Sequence, residues 1–420
     1  MSTAADRAVF QTVARHFTRA TAFSGKLAGQ GAVEHSADGA TVTLSDGRTM
    51  LDFGSYAVTL LGHRHPAVVA AVRAQLDAMP VSSRSLVNPV TAAAAERLVG
   101  YFDGLLPRLY FGLNGADVVE AAVKLARLVT GRPRVLAVEG AYHGKSLGAL
   151  ALTHHPRFRA GLDAVLPAVT HLSADDPDAV AREVAAGDVA ALIFEPVQGE
   201  NGVRALPEDT LRAWCGQARA AGVTVIADEI QCGLRRCGPR SVALDLGLPV
   251  DALLVGKPLG GGVMPISALL CTDELYGPLI EDPARHTATF SGQPLCAAAV
   301  PAALDAIESL ADHAESVGER LGAGLRRVAA ARPGVVAEVR GRGLLWALDF
   351  TGDAVAGEVL VELTRREVIV SPCLSAPTSL RLLPPMVATA QEVDHVLATV
   401  EEALAAADFA CRANPAEVTG

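Results

Sequence analysis

The sequence predicts an α/β protein: a large domain on a mostly parallel sheet with helices on both faces, plus a smaller α+β lobe drawn from both termini. Three observations predict this. Short apolar runs, RVLAVE at 134–139, VAALIF at 189–194, VTVIA at 223–227 and ALLV at 252–255, alternate with helical patterns. Strands apolar on both faces belong to parallel sheets covered by helices. The segment TVTLSDGRTMLDF at 41–53 reads as a hairpin around an Asp-Gly turn. Near the C-terminus a long helical stretch around Leu304–Ala331 is followed by LLWALDF as a strand and then by more helix. The expected division is 1–61 as the N-terminal part of the small lobe, 62–310 as the large domain and 311–420 as the C-terminal small domain.

The elements follow in order. The opening MSTAADRAVFQTVARHF carries charges every few residues and has no apolar core, so it is not expected to act as a secretory signal. Residues Ala116–Thr130 place Val119, Val123, Ala126 and Leu128 about one turn apart, the pattern of an amphipathic helix. Leu211–Ala221 is helical, with Gly222 as its stop. The final CRANPAEVTG is expected to fray.

Composition excludes several classes. The 420 residues exceed one ordinary core. A net charge of −10 and no basic block argue against a nucleic-acid partner. No apolar run approaches the length of a membrane span. Seven cysteines, thinly spread, suit reduced thiols and a cytoplasmic location, and no metal-ligand spacing is present.

Four segments carry chemistry, because ligands of open α/β sheets lie beyond the C-terminal strand ends. Lys257, in Gly-Lys-Pro directly after ALLV, is a strand-end amine before an open Gly260-Gly261-Gly262 turn. Desolvated, such an amine forms a Schiff base with an aldehyde; a surface lysine before a loop is the plainer reading. Asp228, after VTVI, is an acid at a buried strand end that needs a cationic partner such as a pyridinium nitrogen. A helix cap or, with Glu229, a Mg²⁺ ligand would look the same. Asn114-Gly115-Ala116-Asp117 opens a helix and can offer N–H groups to a phosphate, or be simple capping. Gly140-Ala-Tyr-His-Gly puts Tyr142 at a strand end, where it can stack on a cofactor ring or fill a turn.

The order of these segments resembles the class III aminotransferases of the ornithine, acetylornithine and GABA type. The likeness runs through LDFGSYAVTLLGHRHPAVVAAV, NGADVVEAAVKLAR, EGAYHGKSLGALALT, FEPVQGENGV, ADEIQCG, GKPLGGGVMPISALL, HTATFSGQPLCAAA, RGRGLLWALDF and LRLLPPM. It implies fold type I of the pyridoxal-phosphate enzymes, with a sheet of the seven-stranded type. It also implies a role for each matching position. Lys257 would carry the cofactor and move the proton, and Asp228 would hold the ring nitrogen. Tyr142 and Ile230 would cover the two ring faces, with Gln231 near the ring hydroxyl. His143, beside Tyr142, is read as structural and lines the cofactor. Gly115 and Ala116 would bind the phosphate, and Thr289 would reach the phosphate of a neighbouring subunit in a homodimer with shared sites. Glu200 and Arg381 would form the family's paired switch, with Arg381 taking the carboxylate of a 2-oxo acid, and Tyr56 and Lys145 would face the substrate.

The resemblance implies amino transfer between an amine or amino acid and a 2-oxo acid, 2-oxoglutarate foremost, in two half-reactions. Departures cluster around the substrate. The Tyr-rich stretch of the ornithine branch is replaced by FSGKLAGQGAVEHS, and Lys145 stands where an Arg would clamp a carboxylate. Ser291 and Gln293 replace Gly and Asn, and Arg235 replaces a small residue, as either a relocated anion contact or a solvated side chain. Ornithine is therefore not the expected donor. Two other readings remain open at this point: another reaction on the same scaffold (decarboxylation, γ-elimination or carbon–carbon bond formation), and a non-catalytic binding protein that keeps the fold.

Overall fold

The computed structural model describes residues 3–413. The chain divides into two units: Pro66–Ala311, and the chain up to His65 together with the chain from Asp312 onward. The sheet of the first unit has seven strands: β1 (Arg108–Gly112), β2 (Arg134–Val138), β3 (Val169–Leu172), β4 (Val189–Phe194), β5 (Thr224–Asp228), β6 (Ala252–Val255) and β7 (Ser267–Cys271). Their spatial order is β1-β7-β6-β5-β4-β2-β3. From β3 through β2, β4 and β5 to β6 every pairing is parallel. β7 alone runs antiparallel, to both β6 and β1. The sheet is the mostly parallel, helix-flanked one expected.

Burial explains why the central strands are wholly apolar. Every residue of β4, β5, β6 and β7 is buried, so both faces need side chains that cost nothing to desolvate. The helix Gly115–Thr130 lies against this sheet with Val118, Val119, Ala122, Leu125 and Ala126 in the core. It ends at Gly131, whose left-handed φ of 67° lets its N–H turn back to Arg127.

One expected element is corrected. The long helix around Leu304–Ala331 is two helices, Ala299–Ser309 and Ala311–Ala330. The first caps at Leu310, whose N–H returns to Ala306. No Gly or Pro marks the break, so apolar periodicity runs straight across it.

The second unit holds two four-stranded sheets. One joins Glu34–Asp38, Thr41–Leu44 and Thr49–Asp52 to Val368–Ile369, with the expected Asp-Gly hairpin antiparallel at its centre. The other joins Val336–Arg342, Leu345–Phe350, Ser379–Leu382 and Ser371–Pro372. The last helix, Ala390–Ala413, takes in the first three residues of the expected frayed tail; the remainder lies outside the described residues. Among the described residues no single helix is long and apolar enough to cross a membrane.

Candidate active site

The parallel pairing of β5 and β6 sets two candidates at neighbouring strand ends. Asp228 closes β5 in register with Leu254, and Lys257 follows β6 just past Gly256. Lys257 has φ of 41°, unusual for a residue with a Cβ, and such backbone strain persists where the surroundings enforce it. The chain contains four lysines, Lys26, Lys124, Lys145 and Lys257. Lys26 is exposed on an N-terminal helix, Lys124 Nζ lies 2.8 Å from His286 Nδ1, and Lys145 is exposed on a surface turn. Lys257 is the one at the end of a buried strand.

Asp228 is 4% exposed, and its Oδ2 lies 2.7 Å from His143 Nδ1. Its Oδ1 accepts the Ile230 N–H at 3.1 Å. His143 is itself buried, and its backbone N–H donates to Thr153 Oγ1 at 3.0 Å. Its Nε2 is buried without a hydrogen-bond partner. The imidazole thus fixes the carboxylate of Asp228, a more specific place than the general structural role read from the sequence. The adjacent Glu229 plays a different part. Its carboxylate accepts from Ser241 Oγ and from the Val242 and Ala243 N–H groups. It fastens the loop after β5 and is taken up there, so the tandem acids are not a ligand pair.

Ile230 packs between two glycines. A Cβ on Gly115 would come within 3.0 Å of Ile230, and one on Gly256 within 3.2 Å. The small residues therefore keep the helix start, the Lys257 turn and Ile230 close together. Asn114 caps that helix by accepting the Asp117 N–H at 3.1 Å. The N–H groups of Gly115 and Ala116 have no acceptor within the helix and give its end a partial positive charge. Capping and anion binding, alternatives in the sequence, coexist here. Gln231 donates to Glu200 Oε1 at 3.2 Å, and both are buried. Its side chain occupies the space where a Cβ on Gly199 would stand, so a larger residue there would displace Gln231.

Glu195 was missed in the sequence. It follows the wholly buried strand β4, the same signal that singled out Asp228. It accepts the Tyr142 N–H at 2.8 Å and so holds the turn that carries Tyr142. Burial first, and then the charge of Asp228, push its carboxyl well above the carboxylate range, and Lys257 and Glu200 are close enough to act on it. Tyr142 is half-buried, and burial with Glu200 and Glu195 raises its hydroxyl pKa. Its ring meets Phe158 edge-on at 6.1 Å. Lys145, exposed, sets its ammonium 4.6 Å from the Phe158 ring centre and 5.9 Å from that of Tyr142.

Thr289 is exposed on the 286–293 loop, where its carbonyl accepts from Gln293 Nε2 at 3.0 Å. Gln293 also accepts the Ser82 N–H at 2.7 Å, and Ser291 lies 3.3 Å from Asp117, so both departures brace that loop. Arg235 is neither an anion contact nor merely solvated: it forms two hydrogen bonds to Glu308, which also binds Arg240 and the Tyr101 hydroxyl. In the second unit Tyr56 is 66% exposed on a turn organised by the buried Asp52, which accepts the Gly54 N–H and pairs with His63. Arg381 is fully buried on its strand and donates to the Pro372 carbonyl at 3.2 Å.

The aminotransferase class-III family model matches residues 29–404. The chain is a class III aminotransferase. Among its relatives, the putrescine aminotransferase of Pectobacterium atrosepticum is 37% identical over 386 residues, 89% of this chain and 82% of that protein. The ornithine aminotransferase of Toxoplasma gondii superposes with a TM-score of 0.84 at 29% identity, covering 90% of this chain and 91% of that one. An amine transaminase from an uncultivated Pseudomonas species, solved with pyridoxal phosphate as an internal aldimine, gives 0.82 at 29% identity, covering 90% and 95%. As a member of this family the class III enzyme uses pyridoxal phosphate to transfer amino groups. Its residues suit that cofactor: a strand-end lysine amine, a buried carboxylate fixed by an imidazole, and a helix start opened by Gly115.

Proposed function

We propose that the enzyme takes its amino group from a terminal primary amine of the diamine or ω-amine class. It passes that group to a 2-oxo acid, with 2-oxoglutarate as acceptor, in two half-reactions at one site. The observation that carries the site assignment is the pairing of Lys257 and the Asp228–His143 couple on adjacent parallel strand ends beside the open helix start at Gly115. The donor class rests on Lys145. Its single point charge lies against aromatic rings and lacks the two-pronged fork that clamps a carboxylate. Likeness to a putrescine aminotransferase supports the same class.

Pyridoxal phosphate, when bound, supplies an aldehyde for amine exchange and a sink for the electrons of the deprotonated carbon. The remaining work belongs to the chain. Lys257 Nζ holds the cofactor, yields its place to the donor amine, then takes the proton from the amine-bearing carbon and delivers it on the other side of the C–N bond. Asp228 keeps the ring nitrogen protonated, and His143 keeps Asp228 in place. Gly115 and Ala116 give N–H groups to the phosphate. Tyr142 and Ile230 cover the ring faces, and Gln231 serves the ring hydroxyl. Thr289 serves the phosphate of a neighbouring subunit, which makes the working form a homodimer, and we place that dimer in the cytoplasm. Glu200 and Arg381 divide the work of the two half-reactions, with Arg381 taking the acceptor carboxylate.

The test is to mix the holoenzyme with 1,4-diaminobutane and 2-oxoglutarate and follow glutamate. Glutamate formed in step with amine consumed is the expected result. Diamine consumed without glutamate formed, or no reaction of the holoenzyme with the diamine, would overturn the assignment.

A further inference from the structure

Phe158 belongs to no motif of the sequence, yet it gathers more ring and cation contacts than any other side chain near the Tyr142 turn. It sits half-buried on the short helix Pro156–Arg159. Its ring meets Tyr142 edge-on at 6.1 Å and an interplanar angle of 79°, and His155 at 5.6 Å. The Lys145 ammonium is 4.6 Å from its centre and the Arg157 guanidinium 4.9 Å. A lysine ammonium on a four-carbon stem sweeps widely unless something holds it, and ring faces hold it by their negative quadrupole.

We propose that Phe158 is a specificity-determining residue. Together with Tyr142 it holds the Lys145 ammonium against the rings and out of the donor's path, so that donors without a carboxylate are favoured. With the ring removed, Lys145 is free to reach a carboxylate on the donor. Selection therefore depends on where the charge is held, as well as on its presence. This rests on the donor class proposed above.

The experiment measures kcat/KM for 1,4-diaminobutane and for 4-aminobutanoate, with 2-oxoglutarate as acceptor, in the holoenzyme and its variants. The two donors have equal chain length and differ in the far group. Phe158→Leu keeps apolar bulk and removes the ring face; it is expected to lower the diamine-to-amino-acid ratio about two- to fivefold, the scale of a lost exposed cation–ring contact. Phe158→Trp retains a ring and holds the wild-type ratio. Phe158→Leu combined with Lys145→Ala returns the ratio toward wild type, because the released charge is gone. Phe158→Met repeats the test if Phe158→Leu does not fold. An equal fall for both donors, or a shifted ratio that persists in the double variant, overturns this inference and leaves the donor class standing. No transfer from either donor in the wild-type enzyme overturns both.

Discussion

The loop after β5 and the turn after β2 both carry residues toward the same chemistry, but they are held by different forces. After β5, Asp228, Glu229 and Gln231 are at most 5% exposed, and each carries protein hydrogen bonds. After β2, Tyr142 is half-buried, Lys145 is exposed, and the side chains are placed by ring contacts. Buried hydrogen bonds are strong and directional, whereas exposed cation–ring contacts are worth about 0.5–1 kcal/mol. On the proposed function, the first region holds the part of the reaction common to the family. The second can alter donor choice at small cost to stability.

The largest effect is expected at Lys257. Lys257→Ala should lower kcat by about 10³-fold or more, since on the proposed function it removes both the covalent holder and the proton carrier, and steady-state glutamate formation measures it. Asp228→Asn should lower kcat/KM by about 10²-fold, the scale of a lost preorganised charge, with the protein still folded by circular dichroism. A Gly115→Ala enzyme brings a Cβ to 3.0 Å from Ile230. Its cofactor affinity, read by spectral titration, should fall about tenfold, in keeping with about 1–3 kcal/mol for overpacking.

The smallest effect is expected at Glu308. Its hydrogen bonds to Arg235, opposed in part by burial, hold its carboxyl down to about 2, against an ordinary value of 4.5. A depressed carboxylate stabilises the fold fully above its unfolded pKa and loses that contribution as pH falls toward the folded one. Glu308→Gln should therefore lower the melting temperature at pH 7 and flatten its decline between about pH 5 and pH 2. A variant with the wild-type acid limb would show that the Arg235–Glu308–Arg240 cluster contributes nothing.

The sequence made the central strands legible because β4 and β6 are buried on both faces, and only apolar residues tolerate that. It hid β1 and β3, whose residues are partly exposed and break the apolar run, and β7 was not read as a strand although it is wholly buried. It also hid the turn at Leu310, which no breaker residue marks. In the site, Asp228 and Lys257 were readable as polar residues closing apolar strands. Glu195 carries the same mark, but the family resemblance points to Glu200 instead. Phe158 and Glu308 were not readable at all, because their roles arise from partners distant in sequence: Phe158 from Tyr142 and Lys145, Glu308 from Arg235 and Tyr101.

On the proposed function, one lysine at the end of β6 holds the cofactor and moves the proton. With four lysines in the chain, it can be tested directly. The holoenzyme would be reduced with borohydride, digested, and mapped by mass spectrometry for the pyridoxyl group. The account predicts the label on Lys257 alone and its loss after prior addition of a reactive diamine. Label on Lys124, Lys145 or Lys26 with Lys257 unmodified would contradict it.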